Sequence, residues 1–219
     1  MDKKPLVAEL IGTFALCFIG ILSIDASKGD LMIPAFAHGL VLVVFISAFG
    51  AVSGGHFNPA VTLAMIVSKR IKPDVGIAYM VSQVLGGVLA GLAVIACGFT
   101  VATVTGGTPA PGPTITMMSA IIAETILTAF LVFAVLGTAV DKRAPKIGGI
   151  GIGLTVTFDI LAGGPISGGA MNPARWLGPA LVSRENLGNA AIYLTGPFIG
   201  CILAVLIYDK LIAPDQVAA

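Results

Sequence analysis

"SGGHFNPA" at residues 53–60 and "SGGAMNPA" at residues 167–174 are one phrase written twice, 114 residues apart. Asparagine is a good helix N-cap, and proline suits the first helical position, where a missing N–H costs nothing. Asn58–Pro59–Ala60 and Asn172–Pro173–Ala174 therefore each predict a helix start. The residues after each proline, "AVTLAMIVS" and "ARWLGPALV", are apolar enough to be helical. About ten residues make about 15 Å of helix, half the apolar thickness of a bilayer. One such box alone reads as a capped helix start in a loop. Two at a matched offset, each on a half-length apolar segment, are a far more specific signal.

The rest of the chain supplies the bilayer. It is 57% hydrophobic and 11% charged, with a mean hydropathy of +1.01. Soluble domains carry roughly a quarter charged residues. Six apolar runs of spanning length lie at about 5–24, 33–52, 75–98, 115–138, 147–164 and 190–212. The basic N-terminal stretch resembles a signal peptide, but its apolar run is too long and no small-residue cleavage site clearly follows, so it reads as the first span. The net charge of +1 argues against a nucleic-acid partner. Cys17, Cys97 and Cys201 all lie in apolar runs and read as packing residues, not as a disulfide framework or a metal site. Nothing calls for a cofactor, and no serine–histidine or metal-ligand constellation flanks either box, which disfavours an enzyme.

Basic residues set the orientation. Lys3, Lys4, Lys69, Arg70, Lys72, Lys142, Arg143, Lys146 and Lys210 share one side if both termini are cytoplasmic. Lys28, Arg175 and Arg184 take the other. The connection 99–114 is uncharged and turn-rich, as an outer loop can be.

The repeat extends beyond the boxes. The same offset aligns "VLGGVLA" at 84–90 with "FIGCILA" at 198–204, and Glu9 aligns with Glu124 within one residue. The expected organisation is an all-α membrane protein, a single channel domain over 1–219 with three-span repeats at 1–105 and 115–219. Three is odd, so the second half enters from the opposite face, and the site of such a fold lies near the midplane. The "SGG" segments are irregular backbone, tolerated at membrane depth only when buried in protein or lining a wet cavity. Two helix N-termini meeting there each bring roughly +0.5 charge. Such a point is hostile to cations and protons and open to neutral molecules.

These features resemble the aquaporin family, the major intrinsic proteins. "HFNPAVT" and "AMNPARW" match its two boxes, and "AELIGTF" and "AETILTAF" match the starts of its spans one and four. The resemblance covers essentially the whole chain. It implies six helices plus two half-helices, one pore per subunit and a homotetramer. It implies that the Asn58 and Asn172 amides face the pore and donate to passing water. It gives Glu9 and Glu124 the task of accepting hydrogen bonds from the loops before the boxes, where a pump would use them as proton relays. His56 resembles a loop histidine near the inner vestibule, a structural hydrogen-bonder or a pH-sensitive gate.

The resemblance also implies a selectivity ring near the outer mouth: His38, Ile160, Gly169 and Arg175. Arg175 has no counterpart in the first repeat, where position 61 is valine. "DILAGGPISGGAMNPAR" looks especially like the plant tonoplast intrinsic proteins, some of which conduct ammonia as well as water. The ring is then slightly wider than a strict water filter, passing water and, on the wider reading, ammonia. Glycerol is the other candidate. Trp176 fits neither the water nor the glycerol pattern, Ala180 and Tyr193 lean to water, and Leu194 leans to glycerol. Gly169 stands where mercury-sensitive members carry cysteine. Asp159 leaves two readings open: supporting the outer loop as an acceptor, or pairing with Arg175. A secondary transporter is the rival outside channels, since inverted repeats and broken helices recur there. Short termini without an address leave the plasma membrane, the favoured reading, and the vacuolar membrane open.

Overall fold

The computed structural model describes residues 2–213. Met1 and residues 214–219, the chain ends of the expected topology, lie outside the described residues. Six long apolar helices form the bundle: α1 (Lys4–Ser27), α2 (Met32–Ser53), α4 (Pro73–Ala96), α6 (Met117–Val135), α7 (Gly148–Ser167) and α9 (Ala190–Ile207). α6 and α9 each run on into a π-helical turn, at Leu136–Val140 and Tyr208–Ile212. All six are long and apolar enough to cross a membrane. Their outward faces carry large apolar side chains such as Leu40, Val44, Ile77 and Met118, as a lipid-facing surface requires.

Two half-length helices enter the bundle between the long ones, α3 (Pro59–Val67) and α8 (Pro173–Ser183). Each begins at its proline with an asparagine N-cap in extended backbone. The Asn58 side-chain oxygen accepts from Ala60 N–H, and that of Asn172 accepts from both Ala174 and Arg175 N–H. The residues just before, Phe57 and Met171, adopt φ of +47° and +51°. That left-handed geometry is costly for a non-glycine residue and persists only where the surroundings fix it.

Small residues bring the long helices into backbone contact, the usual device where lipid offers no hydrophobic drive between helices. α2 and α7 touch at Gly39 and Gly153, where a Cβ built on Gly153 would lie 2.5 Å from the Gly39 carbonyl oxygen. Gly86 of α4 abuts the Leu10 carbonyl of α1, and Gly200 of α9 abuts the Thr125 carbonyl of α6. The two halves thus use the same contact at corresponding places.

The connection 99–114 is not wholly irregular. It holds a short helix, α5 (Val101–Gly106), capped by the Thr100 hydroxyl accepting from Thr103 N–H. Valine and threonine are weak helix formers, so local sequence did not announce it. Burial does the work: Val104 is fully buried in a cluster with Ile21 of α1 and Val94 of α4. One cysteine also departs from expectation. Cys17 and Cys201 are buried, but Cys97 is exposed just past the end of α4, where the core contacts have stopped.

Candidate functional site

The half-helices meet end to end and are tied by crossed hydrogen bonds. Asn58 Nδ2 donates to the Met171 carbonyl at 2.9 Å, and Asn172 Nδ2 donates to the Phe57 carbonyl at 2.8 Å. Each amide NH₂ has two hydrogens. One is spent across the junction, leaving one for anything that passes.

Two buried acids hold the loops that feed this junction. Glu9 Oε1 accepts from the Ser53 hydroxyl at 2.6 Å and from His56 N–H at 3.0 Å. Its Oε2 accepts from Phe57 N–H at 2.6 Å and from Gln83 Nε2 at 2.7 Å. Glu124 Oε1 accepts from the Ser167 hydroxyl at 2.7 Å and Ala170 N–H at 2.8 Å, and Oε2 from Met171 N–H at 2.6 Å. A carboxylate is an acceptor only and can take several donors at once. It is therefore the group that can satisfy a run of loop N–H groups away from water.

The two halves then diverge. Beside the first box, Gln83 Nε2 also donates to the Thr62 hydroxyl at 2.9 Å, and Thr62 donates to the Asn58 carbonyl at 2.9 Å. With the Thr62 hydrogen committed, His56 Nδ1 is the donor in its 3.1 Å contact with that hydroxyl. At the corresponding places beside the second box stand Trp176 for Thr62, Pro197 for Gln83 and Ala170 for His56. There Trp176 stacks on Tyr193, with ring centroids 5.3 Å apart, and Tyr193 donates to the Ser167 carbonyl at 2.7 Å. Thr62 and Gln83 are thus structural members of the site that sequence reasoning missed, and Tyr193, noted there only for leaning to water, proves to brace the second loop. Comparing the repeats at the 114-residue offset, Thr62 against Trp176 and Gln83 against Pro197, was the signal that could have found the first two.

A cavity of about 1110 Å³ runs from a mouth lined by Arg70, Asp141, Lys142 and Lys146, past His56 and Asn58, to Asn172 and Gly169. A smaller space of about 300 Å³ opens at the other end, lined by Asp30, Thr108 and Gly168 among others. The residues common to both linings are His38, Ile160 and Arg175. They mark where the two spaces adjoin, with Gly169 on the side of the larger cavity.

The Arg175 guanidinium is held on two sides. Nε donates to His38 Nε2 at 3.0 Å, and Nη1 donates to the Gly107 carbonyl at 2.8 Å. His38 Nδ1 lies 2.6 Å from the Pro34 carbonyl, so Nδ1 carries the hydrogen and Nε2 is the acceptor. Both ring nitrogens of His38 are therefore engaged within the protein. Of this pair, only the arginine keeps donors uncommitted within the protein.

At the basic end, Arg70 forms a bidentate pair with Asp209 at 3.2 and 3.0 Å, tying the turn after α3 to the end of α9. Asp141 accepts from Arg143 at 2.7 Å and from the Tyr208 hydroxyl at 3.0 Å. The Arg143 hydrogen bonds hold the Asp141 carboxyl well below the usual carboxylate range. Among the described residues, no three of His, Cys, Asp and Glu gather where a metal ion could sit.

The family model described as Major intrinsic protein matches residues 2–208. The chain belongs to that family. Members of the major intrinsic protein family are membrane channels, not enzymes. The chain is 41% identical over 237 residues to the probable aquaporin TIP3-2 of Arabidopsis thaliana, covering 97% of this chain and 85% of that one. It is 37% identical over 207 residues to the glycerol uptake facilitator protein-like 6 of Lactiplantibacillus plantarum, covering 92% and 94%. The X-ray structure of the aquaglyceroporin from Plasmodium falciparum superposes with a TM-score of 0.87 at 24% identity, covering 99% of both chains, which shows the shared fold.

Within this major intrinsic protein, Asp159 follows neither sequence reading. Both carboxylate oxygens are buried without a hydrogen-bond partner among the described residues, so Asp159 neither braces the outer loop nor pairs with Arg175. The arginine is already taken by His38 and Gly107, and Asp159 lies on α7 beside Ile160, turned away from the passage that Ile160 lines.

Proposed function

We propose that the protein is a passive channel for water that also passes ammonia and excludes protons and other ions. The observation that carries this reading is the junction of the two cavities at His38, Ile160 and Arg175, with Gly169 beside it. These four form the selectivity ring. Arg175 supplies a fixed positive charge and donors for solute oxygens or nitrogens. His38 gives up both nitrogens to the protein, and Ile160 and Gly169 leave the opposite wall apolar and open. Such a ring offers a small neutral acceptor a hydrogen bond and offers a cation only repulsion. Deeper in, the spare hydrogens of Asn58 and Asn172 and the two helix N-termini favour a solute that turns its oxygen toward them. Glu9 and Glu124 shape the loops that present those asparagines, and His56 lines the inner vestibule as part of that polar frame.

The channel unit is the whole chain, with repeats at 1–105 and 115–219. It works as a homotetramer with both termini in the cytoplasm, so the Arg70–Asp141–Lys146 mouth faces inward. The plasma membrane is the favoured location. A broader facilitator for glycerol or urea is the second reading, favoured by the apolar Ile160 wall and by the similarity to a protein named as a glycerol uptake facilitator. Stopped-flow measurements on purified protein in vesicles separate the two. Water flux with faster internal alkalinisation on an ammonium gradient, and no glycerol or urea flux, is the expected result. Water flux without that alkalinisation overturns the ammonia reading, and rapid glycerol entry favours the broader facilitator. Saturable, pH-coupled flux points instead to a transporter.

A further inference from the structure

We infer that Gly20 of α1 is a positioning residue for solute selection, acting through His38. This rests on the ring proposed above. Gly20 is buried and stands behind the His38 imidazole, outside both cavity linings. A Cβ built there overlaps His38 Nε2 and lies 2.9 Å from Cε1 and 3.2 Å from Cδ2. Nε2 is the atom that accepts from Arg175. The missing side chain at position 20 is therefore what lets the imidazole lie back against α1 with its acceptor aimed at the arginine.

The neighbouring residue serves the other partner of Arg175. Ile21 is fully buried, and a Cβ on Gly107 would fall 2.8 Å from the Ile21 Cα. Gly107 is the residue whose carbonyl accepts from Arg175 Nη1. Two consecutive residues of α1, neither lining the passage, thus set where both acceptors of the guanidinium stand. With a methyl at position 20 the imidazole cannot retreat, because α1 is behind it and the passage is in front. The ring must move into the passage and surrender its bond to Arg175.

The test compares Gly20→Ala, His38→Ala and the double variant in vesicles, with flux scored per assembled channel. In the wild-type background Gly20→Ala loses roughly tenfold in water flux, the scale on which one methyl acts in a closely fitted site. In the His38→Ala background, where the methyl has room, Gly20→Ala causes no further loss. Equal loss in both backgrounds makes Gly20 a packing residue and overturns the inference, as does unchanged flux in Gly20→Ala. Should Gly20→Ala fail to assemble, assembly of the double variant supports the same overlap. Failure of both while His38→Ala assembles overturns it. The ring itself fails separately, if His38→Ala alone leaves glycerol and urea flux unchanged.

Discussion

Arg175 Nε and His38 Nε2 lie 3.0 Å apart, with the arginine donating and the histidine accepting. The bond joins the second half-helix to the second span, residues 137 positions apart in the chain. It also fixes what each can offer a solute. A histidine whose second nitrogen donates to Pro34 has no donor to spare, so in the proposed ring the donor for a solute is the guanidinium.

Arg175→Val and His38→Ala therefore separate two properties. Arg175→Val puts the residue of the first repeat into the second box and removes the fixed charge. It is expected to admit protons or cations, read as collapse of an imposed pH gradient in vesicles. His38→Ala leaves the charge but removes the wall beside it. It is expected to bring glycerol and urea flux roughly tenfold above the background of vesicles holding the unaltered protein, while proton exclusion holds.

Glu9 and Glu124 act on one junction from two sides. Phe57 gives its N–H to Glu9 and its carbonyl to Asn172, while Met171 gives its N–H to Glu124 and its carbonyl to Asn58. Replacing either acid by glutamine turns an acceptor into a donor facing a donor. Each single variant is expected to lose about 1–3 kcal/mol of stability. The double variant is expected to lose less than the sum, because loosening one loop already slackens the crossed bond that the other loop shares. Thermal unfolding midpoints of the four detergent-solubilised proteins check this.

The legible part of this protein is its local grammar. Asn58–Pro59 and Asn172–Pro173 state a capped helix start in two adjacent residues, and the six spans follow from apolar run length. The partners of Arg175 are a different matter. Gly107 contributes a backbone carbonyl from a connection without a charged residue, and any residue type has a carbonyl. Only the closure of α5 over α1 brings it to the guanidinium. Asp159 failed for the opposite reason. Its residue type announced a partner, yet the helix face it occupies supplies none.

Asp159 is expected to be a burden on stability, not a working acid. Burying polar oxygens without a hydrogen bond costs free energy that an apolar side chain of similar volume does not incur. Asp159→Leu should therefore raise stability by about 1–3 kcal/mol and leave water flux unchanged. Asp159→Asn gains less, since its amide meets the same lack of partners. A fall in flux with unchanged unfolding midpoint in either variant would show that the carboxyl serves conduction.

Thiol reagents distinguish the three cysteines. Cys17 and Cys201 are buried, while Cys97 is exposed past the end of α4 and lines neither cavity. Gly169, at the ring, offers no thiol. A mercurial is therefore expected to react with Cys97 at about one equivalent per chain and to change water flux little. Cys97→Ser should abolish the rapid labelling with no effect on flux. Strong inhibition that survives Cys97→Ser would mean that Cys17 or Cys201 becomes accessible during conduction. Cys17 belongs to α1 one turn before Gly20, so inhibition through that thiol would report movement in the helix that backs His38.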